Sequence, residues 1–297
     1  MSRGVSTRIL DHIVHLTPPG TLQDSADALR KLGFTVSPGG THADGQTANA
    51  LVVFADGTYL ELLHFTRPPP VSASTASAAA QHPWGRKQPG WIDYAFLGNA
   101  GTPSVAETIN RRAVADRSGA HYAHEVRGGR KRADDGRVLE WLITAPEGDG
   151  TSVRGRLPFF CGDVTPREWR VPLEPRSNTE HANTAQGVAY VKLLVSPGDL
   201  DAYAKELTSV LGVSPLESSA SQIVWELEPQ PSHAGGHDTT HRTPTLVLGA
   251  TNGEDEERYV RERGAGIYEL GVAVTDAGRK GIAHTPYGRI VWEITTN

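Results

Sequence analysis

Two apolar runs, Thr47–Ala55 and Thr58–Phe65, are separated by Asp56-Gly57. That dipeptide between apolar runs predicts a tight hairpin with both turn residues at positive φ. Upstream, Ile9–Leu16 is apolar and β-branched and stops at Pro18-Pro19-Gly20, which reads as a strand and its end. Thr21–Leu32 then puts Leu22, Ala26, Leu29 and Leu32 on one helical face, with Thr21 as candidate cap and Gly33 as the stop. Phe34–Ser37 reads as a short strand, and Pro38–Gly45 as a glycine-rich loop. The order is β-α-β-β-β.

The same grammar recurs along the 297 residues. After a Pro-, Ser- and Ala-rich linker over 67–89 come a strand at Trp91–Leu97 and a helix near Pro103–Arg117, with Thr102-Pro103 in its first turn. Strands at His121–Arg127, Arg137–Thr144 and Leu157–Cys161 follow, with Asp135-Gly136 in the hairpin position. A third pass starts near Gly187, where SPGDLDAYAKELTSVLG parallels PPGTLQDSADALRKLG. It continues through strands at Ile223–Glu228 and Pro244–Gly249 and a charged helix at Gly253–Arg263, and two closing strands follow at Gly266–Val274 and Arg289–Ile294. A period of this length is too long for a solenoid and indicates a few copies of one supersecondary unit. The expected class is α+β, with repeated βαβββ units.

Composition narrows the function classes. A net charge of −5 with interspersed signs gives no footprint for nucleic acid. No apolar stretch reaches the ~18–20 residues of a membrane helix, and the N-terminus lacks the apolar core of a secretory signal. The single cysteine, Cys161, excludes an intramolecular disulfide and fits a reducing compartment, so a cytoplasmic location is expected.

The segments LDHIVHL, LGFTVSPGGTHADGQTANALVVF and YLELLHF, followed by GGRKRADDGRVLEWL and LPFFCGDVTPREWRVP, resemble the glyoxalase-like family of the vicinal-oxygen-chelate superfamily. The match runs over about Ile9–Pro172, and the region after Gly187 is similar to the extension of fungal-type members. The resemblance implies paired, curved mixed sheets around a shared cleft. It divides the chain into a glyoxalase-like domain at 8–172 (units 8–66 and 90–163) and a βαβββ-like extension at 187–297. It also implies that metal ligands come from the first and last strands of each unit. Members often pair units between chains, so a homodimer stays open.

His12 lies on the first strand, with Leu10, Val14 and Leu16 expected on its face and Asp11, Ile13 and His15 on the other. Glu61 lies on the fourth strand, a neighbour of the first at about 4.8 Å in such a unit. An imidazole and a carboxylate on adjacent strands can chelate one ion, or serve as a core histidine and an edge acid. Both fall at the family's metal positions, which implies ligands for a divalent ion, Zn, Mn or Mg. The second unit offers Asp93 and Asp163 to complete the set, with Tyr94 and Cys161 beside them. Such oxygen-rich donors argue against a two-histidine, one-carboxylate iron centre.

The Gly39–Asn49 loop carries His42, a candidate acid–base group, and Asn49, a candidate substrate contact. Among Arg130, Lys131 and Arg132, one guanidinium is expected to grip an anionic substrate and two to be solvated; Arg130 is the candidate. Trp141, Phe160 and Cys161 are expected in the core. His233, His237 and His241 recur every four residues in a loop-like setting and read as surface. The resulting expectation is a metal-assisted lyase or isomerase that forms an enediolate from a small oxygenated substrate, with Glu61 or His42 moving the proton. A metal-free binding protein of the same fold and a ring-opening dioxygenase are the alternatives.

Overall fold

The computed structural model describes residues 5–67, 82–132, 134–148, 154–231 and 243–295, so His233, His237 and His241 lie outside the described residues. The first unit comprises β1 (Leu10–Thr17), α1 (Leu22–Lys31), β2 (Ser37–Thr41), β3 (Thr47–Val53) and β4 (Tyr59–Phe65). The second comprises β5 (Gly90–Leu97), α2 (Val105–Asp116), β6 (Val126–Lys131), β7 (Val138–Thr144) and β8 (Phe159–Asp163), followed by a one-turn helix, α3 (Arg167–Arg170). Together they form one eight-stranded mixed sheet in the order β2-β3-β4-β1-β5-β8-β7-β6. β1 and β5 pair antiparallel at the centre, and each has the last strand of its own unit as a parallel neighbour.

A seven-stranded sheet follows, built from β9 (Ala185–Val195), α4 (Leu200–Leu211), β10 (Glu217–Ser218), β11 (Gln222–Glu226), β12 (Thr245–Ala250), α5 (Glu254–Arg263), β13 (Gly266–Val274), β14 (Ile282–Thr285) and β15 (Gly288–Ile294). Its order, β10-β11-β12-β9-β13-β15-β14, repeats that of the first sheet strand for strand except for one missing edge. The two closing strands of the sequence reading are therefore part of a fourth unit, reduced to three strands with no helix between its first and second. Nothing in the short Asp276–Gly281 turn could signal a lost helix, which is why three passes, not four, were legible.

The back face of β1 and the apolar faces of α1, α2 and α4 share one core with the second sheet, through Ile13, Leu29, Ile109, Val191, Leu207 and Trp225. A separate cluster, including Val14, Leu63, Leu139 and Trp141, lies on the opposite face of the first sheet. Helix α2 starts at a full capping box, with Ser104 and Glu107 bonded reciprocally, rather than at Pro103. Thr21 makes no cap bond to α1; its hydroxyl donates to the Pro18 carbonyl. In the β3–β4 hairpin only Gly57 has positive φ, and Asp56 instead accepts bonds from the Thr58 amide and hydroxyl. This is a three-residue loop closed by a glycine, not the two-residue turn expected.

The second strands of both units differ from expectation in the same way. Ser37–Thr41 and Val126–Lys131, not Phe34–Ser37 and His121–Arg127, form β2 and β6. Each carries a glycine pair, and these two outermost strands curl until they meet. His42 and Arg130 form an antiparallel bridge, and the Ala43 amide donates to the Gly129 carbonyl at 2.8 Å. A Cβ on Gly40 would stand 2.5 Å from the Lys131 carbonyl oxygen, so glycine is what permits this approach. The sheet is thereby nearly closed into a barrel.

Two outcomes follow. Gly40→Ala should lower unfolding free energy by about 1–3 kcal/mol, the usual range for overpacking, as read by urea denaturation. His15, wedged between the sheets against Trp91 and Thr285, has its pKa lowered by burial to about 4. A histidine held neutral in the fold contributes stability present above its unfolded value of about 6.5 and lost as pH falls toward 4. Thermal unfolding should therefore drop across that window, and His15→Gln should flatten the slope.

Candidate active site

A bulge in β1 builds the centre of the site. Leu10 pairs with Phe96 and His12 with Ala95, leaving Asp11 as the extra residue. Leu10 thus joins Ile13 in the back core, and Asp11 turns toward His12, the reverse of simple alternation. His12 Nδ1 lies 2.8 Å from the Asp11 carboxylate, and the ring stacks on Tyr59 at 4.6 Å. Asp11 is fully buried, which disfavours its charge, yet the guanidiniums of Arg167 and Arg170 overcome this and hold it well below the usual carboxylate range. An ionised carboxylate only accepts, so Nδ1 carries a hydrogen, and Nε2 is the nitrogen left facing Glu61. Arg170 also donates to Tyr59 Oη at 2.7 Å and to Asp163.

Glu61, on β4, sits with Oε2 3.7 Å from His12 Nε2. Its Oε1 accepts from Asn49 Nδ2 at 2.6 Å and lies 3.6 Å from His42 Nε2. Asn49 Oδ1 in turn accepts from the Gly40 amide, tying the cluster to the strand edge. His42 Nδ1 lies 2.6 Å from the Thr47 hydroxyl. Burial lowers the His42 pKa, outweighing Glu61, so the ring is neutral at pH 7. Arg130 enters across the seam, only 4% exposed. Lys131 and Arg132 are less buried, as expected for two of the three.

Of the residues singled out in the sequence, His12, Glu61, His42, Asn49 and Arg130 therefore surround one cleft of about 1020 Å³. Asp93 and Asp163 do not join them. The Asp93 carboxylate accepts from the Trp84 indole, the Tyr94 and Gly155 amides and pairs with Arg154. Asp163 is tied to Arg167 and Arg170. Cys161 reaches the cleft, but burial pushes its thiol far up and keeps it protonated. Among the described residues no group of three or more His, Cys, Asp or Glu side chains is placed to hold a metal ion. Trp141 is in the second apolar cluster and also lines the cleft, its ring roughly perpendicular to that of His42, while Phe160 is in the core and its neighbour Phe159 faces the cleft. Asp11, Tyr59 and Arg170 went unrecognised as site residues. Only the bulge brings Asp11 to His12, and no local pattern encodes it.

Two βαβββ units joined edge to edge, with polar side chains from their central strands opening into the curve, define a vicinal-oxygen-chelate fold. A family described as "Glyoxalase-like domain" matches residues 10–211, more than half of the chain, and the chain belongs to that family. No curated protein matches. A hypothetical protein from Staphylococcus aureus has a similar structure, with a TM-score of 0.64 at 11% identity, covering 96% of this chain and 99% of that one. Two enzymes are more distant. 2,2′,3-Trihydroxybiphenyl 1,2-dioxygenase from Sphingomonas wittichii gives 0.48 at 10% identity, covering 97% of this chain and 90% of its own. A 4-hydroxymandelate synthase variant from Streptomyces coelicolor gives 0.48 at 13% identity, covering 92% and 72%. Among the described residues no helix is long and apolar enough to cross a membrane.

The buried ion cluster yields a stability outcome. Asp11→Asn removes the charge shared by Arg167 and Arg170 and should cost roughly 3–5 kcal/mol, the loss typical of breaking one partner of a buried pair, measured by urea unfolding.

Proposed function

We propose that this chain is a lyase or isomerase that moves a proton on a carbon next to a carbonyl or hydroxyl of a small-molecule substrate, through an enediolate-type intermediate, in the cytoplasm. The observation that carries the reading is the facing pair, His12 Nε2 and Glu61 Oε2 at 3.7 Å, with the far nitrogen of His12 fixed by Asp11. Either group can take the substrate proton, and the other, within reach, can return it. His42, with Nδ1 held by Thr47, would serve as a donor to the oxygen on which charge develops in the tautomer that carries its hydrogen on Nε2. The Asn49 bond aims Glu61 and leaves Oε2 open to the cleft.

The family's divalent ion would take His12 and Glu61 as its first donors. The rest of the set does not fit. Asp93 and Asp163 spend their oxygens on arginines and an indole, Cys161 is a thiol, and Ala95 stands opposite His12 on β5. Zinc and non-haem iron sites use three or more protein ligands, so no step here is routed through an ion. The same incompleteness favours a second reading, a binding protein that retains the cleft without catalysis.

Incubation in D2O with a panel of 2-oxo and 2-hydroxy carboxylic acids, read by proton NMR, separates the readings. Exchange at the carbon bearing the labile proton is expected with the wild type, falling 10²–10⁴-fold in His12→Gln and Glu61→Gln, the usual contribution of a general acid–base group. Binding of panel members without exchange in any of them would overturn the enzyme reading. Stoichiometric zinc or manganese retained by the wild type and lost in both variants would overturn the ion-free arrangement.

A further inference from the structure

Arg130 is an anomaly of charge. It is 4% exposed on β6, yet among the described residues it makes no ion pair with a carboxylate. Its guanidinium's only hydrogen bond among them is a long one, 3.5 Å from Nη2 to the Arg170 carbonyl. Every comparable buried arginine nearby is matched: Arg170 by Asp11 and Asp163, Arg154 by Asp93, Arg167 by Asp11 and Asp163. Burial works against the Arg130 charge, and Tyr59 and Glu61 offset it only partly, through space and without an ion pair. A Cβ on Gly40, opposite, would stand in ordinary contact with the guanidinium, 3.5 Å from Nη1. The group lines the same cleft as Glu61 and His42, and its strand position is bridged to that of His42.

Part of the rest of the cleft is apolar. Trp84, Trp141, Phe159, Leu51, Ile143 and Val126 contribute to its walls. Val126 is 65% exposed at the open rim, and Trp141 is perpendicular to His42 at 6.0 Å. A volume of about 1020 Å³ stands at the upper end of drug-sized ligand sites, roughly 300–1,000 Å³. A two- or three-carbon substrate would fill only a small part of it.

We infer that the ligand is an amphipathic monocarboxylate: its carboxylate seated on Arg130, its 2-carbon beside Glu61 and His42, and an aryl or branched alkyl body against Trp84, Trp141 and Phe159. This rests on the proton-transfer reading for the placement of the 2-carbon, but not for the binding itself. One planar guanidinium matches one carboxylate fork to fork. A dianionic phosphate would bring a second charge toward Glu61 with, among the described residues lining the cleft, no further unpaired buried cation to meet it.

The test is titration of the protein with 3-phenylpropionate, 3-phenylpropan-1-ol, propionate and 3-phenylpropylphosphonate, followed by tryptophan fluorescence and confirmed by calorimetry. The aryl carboxylate should bind at least about tenfold more tightly than the other three. Arg130→Gln should lose at least about tenfold for the carboxylate and little for the alcohol. Arg130→Lys should recover part of the affinity, and Trp141→Ala should weaken aryl ligands alone. Thermal melts of each variant show that the fold is intact. Equal binding of acid and alcohol, unchanged affinity in a folded Arg130→Gln, or preference for the phosphonate would overturn the inference. Tight carboxylate binding with no deuterium exchange would overturn the proton-transfer reading and leave this one standing.

Discussion

The close approach of β2 and β6 governs the shape of the first half of the molecule. An open mixed sheet of eight strands presents two bare edges. Here the edges meet each other, through the His42–Arg130 bridge and the Ala43 amide on Gly129. Side chains at Gly39, Gly40 or Gly129 would collide with Asn49, Lys131 or Leu139. Of these only Gly40 meets the other unit; Gly39 and Gly129 lie against the neighbouring strand of their own. Closure also delivers chemistry, because it brings His42 from one edge and Arg130 from the other to Glu61 on an interior strand.

A second constraint is electrostatic. Asp11, Asp163, Arg167 and Arg170 form a buried network that links the central strand to the helix following β8. Networks of this kind are weak contributors to net stability because desolvation offsets attraction. Their effect here is orientation: one rotamer and one tautomer of His12, with Nε2 toward Glu61. The bulge at Asp11 is what makes this geometry available, since regular alternation would send the carboxylate to the opposite face.

The two sheets share a plan but have diverged. β9 and β12, the counterparts of β1 and β4, carry no histidine and no acid. On β9 and β13, Tyr190 donates to Glu269, which also pairs with Arg289, while Lys192 reaches Glu256 of α5. Helix α5 packs on those same two strands. Charge that could serve a ligand in the second half is therefore satisfied internally, and the first half holds the open cleft. The second sheet supports the first from behind, with His15 and Trp91 at the contact.

Local physics made much of this legible in the sequence. Apolar periodicity and Asp-Gly turns encode the βαβββ order, because strand alternation and positive φ at glycine act over a few residues. Repetition then implies the sheet plan, which places His12 and Glu61 on neighbouring strands, and Asn49 one strand further. Tertiary structure alone decided the rest. The bulge recruits Asp11, the curl joins Arg130 to His42, and ion pairs remove Asp93 and Asp163 from the cleft. The bulge and the curl depend on contacts between residues more than 80 positions apart, where no periodicity reaches, whereas Asp93 pairs with Arg154 61 positions on and Asp163 with arginines 4 and 7 positions on. The desolvation of a charge, which separates a gripped anion site from a solvated edge at Arg130, exists only once the sheet has closed around it.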